Sequence, residues 1–192
     1  MYDQYNRKID YLRISLTDRC NLHCHYCQPE ISEHVPHNEI LRYEELLRIC
    51  RAALQLGIRK FKITGGEPLL RKGCSDFIAR LKQMEGVEQV TLTTNGTLLS
   101  QQLPALIAAG VDSINVSLDT LDAAYYTELT GGSLDSVLKS LQELQSAGIP
   151  FKLNCVPLAE NGLTDIMQLL KLAHKYQAPL RLLMLMPLDC NR

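Results

Sequence analysis

The chain has 192 residues, 46% of them apolar, a size and composition that suit one globular domain with a substantial core. Its formal net charge of −1 supplies no global basic field for nucleic acid or a membrane surface, and no stretch reaches the roughly 18 apolar residues of a membrane span. Seven cysteines, odd in number and unevenly spaced, argue against a secreted disulfide framework. Met1–Tyr5 carries no apolar run to act as a leader, so a reducing cytoplasm is the expected home.

Taken in order, short β-like runs alternate with longer helical ones. The β-like runs are Ile9–Leu16, Lys60–Ile63, Gln89–Thr93, Ser113–Leu118, Phe151–Val156 and Leu180–Leu185. Helical periodicity covers Tyr43–Leu56, Ser75–Met84, Gln101–Ala109, Leu134–Ala147 and Thr164–Tyr176. Gly57, Gly110 and Gly148 close three of these helices and lead straight into a β-like run, as left-handed C-caps do. The repeat implies an α/β fold with a parallel sheet, either open and doubly wound or a partial barrel, and periodicity does not decide between them. In both, ligands gather at the C-terminal ends of the strands.

The unusual residues follow strands. Cys20, Cys24 and Cys27 sit on a short stretch after the first, bracketed as loop by Thr17-Asp18-Arg19 and Pro29. Three readings stand open on spacing alone: thiolates holding irons of a cluster, a zinc site completed by His23, His25 or a distant Cys, or one helix face of small buried hydrophobes. Thr64-Gly65-Gly66-Glu67-Pro68 follows the second strand; its glycines let a ligand come close to the backbone, or they make a tight turn with Pro68 opening a helix. Thr93-Thr94-Asn95-Gly96 and Asn115-Val116-Ser117-Leu118-Asp119 place hydroxyl and amide groups where a ribose or carboxylate is bound, or serve as turns and caps. Arg13, Lys62, Lys152 and Arg181 are cations inside strands. Burying them is costly unless they face a polar cavity, so they suggest one that takes an anion; the alternative is solvated strand ends. Cys50 and Cys155 read as core. Cys74 and Cys190 read as bystander thiols, and His34, His37 and His174 form no site. The charges over Asp112–Asp135 and Glu85–Glu88 read as solvated.

The Cys-x₃-Cys-x₂-Cys order with Tyr26 before its last cysteine resembles the radical S-adenosylmethionine enzymes, and Gly65-Gly66-Glu67-Pro68 is similar to their amino-group motif. Arg7–Ser15, Thr17–Leu22, Thr93–Gly96, Val116–Asp122, Lys152-Leu153-Asn154 and Arg181…Met186-Pro187 together look like the GTP 3′,8-cyclases of molybdenum cofactor biosynthesis, over nearly the whole chain. The resemblance implies a partial (β/α)₆ barrel with one catalytic core over 1–192. It implies a [4Fe-4S] cluster on Cys20, Cys24 and Cys27, its open iron chelated by S-adenosylmethionine. Tyr26, Gly66, Ser117 and Met186 would contact that cofactor, and Arg13, Lys62, Thr93 and Lys152 would contact GTP. A 5′-deoxyadenosyl radical would abstract the ribose 3′ hydrogen, and the new carbon radical would attack C8 of guanine. The implied partners are GTP, a reducing electron donor and a second copy in a homodimer.

The chain departs from the family at Lys62, where the family has Arg, which loses the bidentate fork for phosphate. Met184 replaces a Glu. A second cluster on a C-terminal Cys triplet, and a Gly-Gly tail, are family features outside this sequence, and Cys190 alone does not replace the triplet. Two further readings follow: a radical enzyme with another substrate, motivated by Lys62 and Met184, and a truncated cluster-binding protein without complete cyclase activity.

Overall fold

The computed structural model describes residues 2–27, 34–36, 38–158 and 162–185. Strands β1 (Tyr11–Ser15), β2 (Lys60–Thr64), β3 (Gln89–Thr94), β4 (Ser113–Ser117), β5 (Phe151–Cys155) and β6 (Leu180–Leu182) form one sheet in sequential order, every pair parallel. Sequential order leaves no switch point, which excludes the doubly wound alternative. The described strands are those of a partial (β/α)₆ barrel, with β1 and β6 at its two edges.

The helices are α1 (Tyr43–Gln55), α2 (Cys74–Lys82), α3 (Leu99–Ala108), α4 (Ala123–Thr130), α5 (Leu134–Ser146) and α6 (Gly162–Lys175), with a 3₁₀ turn at Pro68–Leu70. Five lie within two residues of the expected ends. The glycine caps are as expected, with φ of 89° at Gly57, 77° at Gly110 and 66° at Gly148. Helix α4 was not foreseen; its signal is Asp122, whose carboxylate caps the Tyr125 N–H at 2.9 Å. β6 ends at Leu182, short of the expected Leu185.

Core formation is one-sided. Leu12, Ile14, Phe61, Ile63, Val90, Leu92, Ile114, Val116, Phe151 and Leu153 point outward to the helices, joining Leu46, Leu47 and Cys50 of α1 and Val137, Leu141 and Leu144 of α5. The alternate positions point into the barrel and are polar throughout β1–β5: Arg13, Lys62, Thr91, Thr93, Asn115, Ser117, Lys152 and Asn154 among them. Parallel strands covered on both faces read as continuous apolar runs. Among the described residues only the convex face of this sheet is covered by helices, and its strands alternate accordingly. Cys50, Cys155 and also Cys74 are buried in the core.

Candidate functional site

The cysteine loop is held on four sides. Beneath it lies the turn after β2. The Gly66 N–H donates to the Thr17 carbonyl at 2.7 Å and the Glu67 N–H to the Arg19 carbonyl at 2.8 Å. A Cβ on Gly65 would stand 2.6 Å from the Thr17 oxygen, and one on Gly66 would collide with the Arg19 carbonyl. The close approach that the glycines permit is therefore by the chain's own backbone, leading into Cys20. Glu67, fully buried, braces the same turn. Its Oε1 accepts from the Leu69 N–H at 3.0 Å and the Thr94 hydroxyl at 2.8 Å, and Oε2 from the Asn95 N–H at 2.7 Å. Burial pushes its carboxyl up, partly offset by those donors.

The second hold is the end of α4. Thr130 and Leu129 carbonyls accept from His23 N–H at 2.9 Å and His25 N–H at 3.2 Å, and buried Leu22 presses on Gly132. The carbonyls at a helix C-terminus lack intrahelical partners, so α4 offers them to the loop. The third is Tyr26, whose hydroxyl donates to Asp119 Oδ2 at 2.6 Å, while Asp119 Oδ1 accepts from the Val156 N–H at 2.8 Å. Asp119 is 5% exposed, and burial raises its carboxyl above the usual range, with the Tyr26 bond opposing. It thus ties the loop to the ends of β4 and β5, a role that reading the charges over Asp112–Asp135 as solvated misses. Asp112 departs from that reading too: it receives Lys82 Nζ at 2.8 Å and the Val90 N–H at 2.6 Å. The fourth hold, from the end of β3, is Asn95, bonded to Asn21.

None of the six described free cysteines is in a disulfide. Cys20 and Cys24 are half-buried and Cys27 is exposed. Burial pushes the Cys24 thiol up to about 12, with Asp119, Cys27 and Cys20 adding to the rise. Among the described residues no three His, Cys, Asp or Glu side chains converge as a single ion's shell does. Three thiols on one short loop suit a cluster, whose irons take one thiolate each at separate corners.

Deeper in the barrel the cations meet. Arg13 and Lys62 are register neighbours on β1 and β2, as are Asn115 and Lys152 on β4 and β5, and Asn154 and Arg181 on β5 and β6. Burial holds the Lys62 ammonium below its usual range, reinforced by Arg181, Arg13 and Lys152. Lys62 Nζ also stands 5.7 Å from the centre of the Tyr11 ring. Thr93 is a register neighbour of Asn115, and Ser117 of Asn154. Asn154 Oδ1 is buried with no hydrogen-bond partner, an acceptor left for a donor on a bound molecule. A cleft of about 430 Å³ opens beside the loop between Tyr26, Tyr125, Leu158 and Leu185. The lumen therefore brings together Arg13, Lys62, Thr93, Ser117 and Lys152, with Cys20, Cys24, Cys27, Tyr26 and Gly66 at its mouth. Met186, Cys190 and His37 lie outside the described residues.

A loop of three thiols clamped over the C-terminal mouth of a polar half-barrel defines a barrel enzyme that carries a metal cluster at its opening. The sequence matches the radical SAM superfamily over residues 14–173, and the chain belongs to it. The cofactors of that superfamily are a four-iron cluster and S-adenosylmethionine. Similar curated proteins are named GTP 3′,8-cyclase. The one from Thermodesulfovibrio yellowstonii is 44% identical over all of this chain and 61% of its own length. That from Geobacter sulfurreducens is 49% identical over 78% of this chain and 47% of its own. The chain spans about three fifths of the length of the first of these relatives. Among solved structures, Streptococcus suis SuiB bound to S-adenosylmethionine superposes with a TM-score of 0.76 at 22% identity, covering 93% of this chain and 41% of that one. Methylornithine synthase does so with 0.74 at 16%, covering 92% and 53%. Both share the fold.

Proposed function

We propose that the chain is the catalytic core of a GTP 3′,8-cyclase. The observation that carries this reading is the meeting of Arg13, Lys62, Lys152 and Arg181 on the lumen face beneath the cysteine loop. Cations gathered on one face repel one another, and burial adds a cost at Lys62; a polyanion relieves both, and a nucleoside triphosphate supplies one. The curated relatives' shared name supports GTP as that nucleotide.

In this reading Cys20, Cys24 and Cys27 hold the cluster. Tyr26, Gly66, Ser117 and Met186 would contact S-adenosylmethionine. When bound, the pair would supply 5′-deoxyadenosyl radical chemistry, given one electron from an external donor. Arg13, Lys62 and Lys152 fix the triphosphate, and Thr93 offers a hydroxyl to the nucleotide. Asn154 Oδ1 accepts from a ligand donor at the level of Ser117. The lumen walls hold the ribose near the radical and shield it from solvent. Lys62 binds phosphate as a point charge.

Anaerobic incubation of the reconstituted chain with GTP, S-adenosylmethionine and dithionite tests the reading. The expected products are 5′-deoxyadenosine and a cyclised GTP. Deoxyadenosine formed with GTP left intact would favour a radical enzyme acting on another substrate, the reading that Lys62 and Met184 support.

A further inference from the structure

Asn95 stands between the buried carboxylate of Glu67 and the first cysteine, and the reading above gives it no part in the chemistry. Its amide is oriented without ambiguity. Oδ1 accepts from the Thr97 N–H at 3.0 Å and the Thr97 hydroxyl at 2.7 Å. A backbone N–H only donates, so the opposite end of the amide is Nδ2. That nitrogen donates to Asn21 Oδ1 at 3.0 Å and to Cys20 Sγ at 3.7 Å, which accounts for both of its protons. The backbone is fixed as well, the Asn95 N–H donating to Glu67 Oε2 at 2.7 Å. Cys20 Sγ also accepts from the Leu22 N–H of its own loop at 3.4 Å.

A donor aimed at a cluster thiolate stabilises the more electron-rich state, because reduction places added charge on the sulfurs. We propose that Asn95 is a positioning residue that raises the reduction potential of the cluster through the Cys20 thiolate, easing electron entry. The inference rests on the reading that Cys20 binds a cluster iron.

Anaerobic reconstitution of the full chain, iron and sulfide analysis, and a redox titration followed by electron paramagnetic resonance test it. Asn95→Ala is expected to lower the reduced-to-oxidised ratio about tenfold at a fixed potential, the size of a charge-assisted bond. For a one-electron couple that is a midpoint shift of about 59 mV to the negative. Asn95→Asp keeps the shape and the acceptor facing Thr97 but replaces the donor by an anion, and its midpoint falls further. Asn21→Ala removes the other acceptor and the bond that Asn21 Nδ2 donates to the Thr97 hydroxyl at 2.9 Å, neither of which touches Cys20 Sγ, and leaves the midpoint at the parent's value. A parent midpoint in fully loaded Asn95→Ala and Asn95→Asp overturns the inference, as does an equal shift in Asn21→Ala. If Asn95→Ala loads no iron, the Asn95→Asp midpoint decides, and failure of both to load shows a structural role and overturns it too. A parent chain that takes up no iron overturns the cluster assignment, and this inference with it; the iron analysis tells that failure apart.

Discussion

Gly66→Ala separates holding the site from holding the fold. The added methyl would collide with the Arg19 carbonyl and stand 2.9 Å from the Asp18 oxygen. Arg19 cannot yield freely, because its carbonyl accepts the Glu67 N–H at 2.8 Å and Glu67 is locked by its own bonds. Relief requires the loop to lift away. Overpacking costs about 1–3 kcal/mol, and each backbone bond broken on lifting adds about 0.5–1.5 kcal/mol. With the Gly66 and Glu67 N–H bonds both lost, the local cost is about 2–6 kcal/mol. The convex core contains neither residue, so the loss falls on the loop. Iron bound after anaerobic reconstitution should fall severalfold while the thermal midpoint moves by only a few degrees. Gly131→Ala is the matched control: its φ of 72° is strained for Ala, but nothing stands within 4 Å of the new methyl. Full iron uptake and parental stability in Gly66→Ala would refute the clamping argument.

Tyr26→Phe leaves the Asp119 carboxylate without its hydroxyl donor, a bond to a charged group worth about 1.5–3 kcal/mol; chemical denaturation should show a loss of that order. Asp119 itself has a folded-state pKa raised above 3.8 by burial, so the native state binds more protons than the unfolded. Its contribution is present below that value and declines as pH rises through the folded pKa. Asp119→Asn should therefore gain stability relative to the parent as pH is raised from 4 to 7, and a pH-independent difference would contradict the assignment. The Cys24 thiol, pushed up to about 12, stays protonated at neutral pH until metal displaces its proton, so apparent iron affinity should climb between pH 6 and 9. A flat profile in anaerobic iron titrations would argue against Cys24 as a ligand. Lys62→Met relieves repulsion among the barrel cations; it should raise the melting temperature of the ligand-free chain and weaken GTP about tenfold by calorimetry.

The alternation of elements was legible because each relies on local chemistry: the apolar period of α1 and α5, and the cap glycines before β2, β4 and β5. The choice of a barrel was not legible from periodicity, since strand order is a long-range property that the resemblance alone supplied. Helix α4 escaped because its eight residues, Ala123–Thr130, show little amphipathic period. That omission hid the hold on His23 and His25. The meeting of Arg13, Lys62, Lys152 and Arg181 was expected from the expense of burying strand cations; the structure brings them together, with Lys62 and Lys152 half-buried but Arg13 and Arg181 exposed, so that expense applies only to part of the group. The residue type of Gly65 and Gly66 announced a close approach but not by what. Only the fold shows that the approaching atoms belong to Thr17 and Arg19.

The one-sided core divides the molecule's obligations. Convex positions such as Ile63, Leu92 and Val116 are bound to the helices, and any change there is felt as a cavity or a clash. Lumen positions such as Thr91 and Lys152 lie on the face turned away from the helices and answer chiefly to whatever occupies the barrel. An inner wall can therefore be rewritten for a new substrate with little loss of folding free energy. The superposition with methylornithine synthase at 16% identity shows how far sequence can change while this architecture stays.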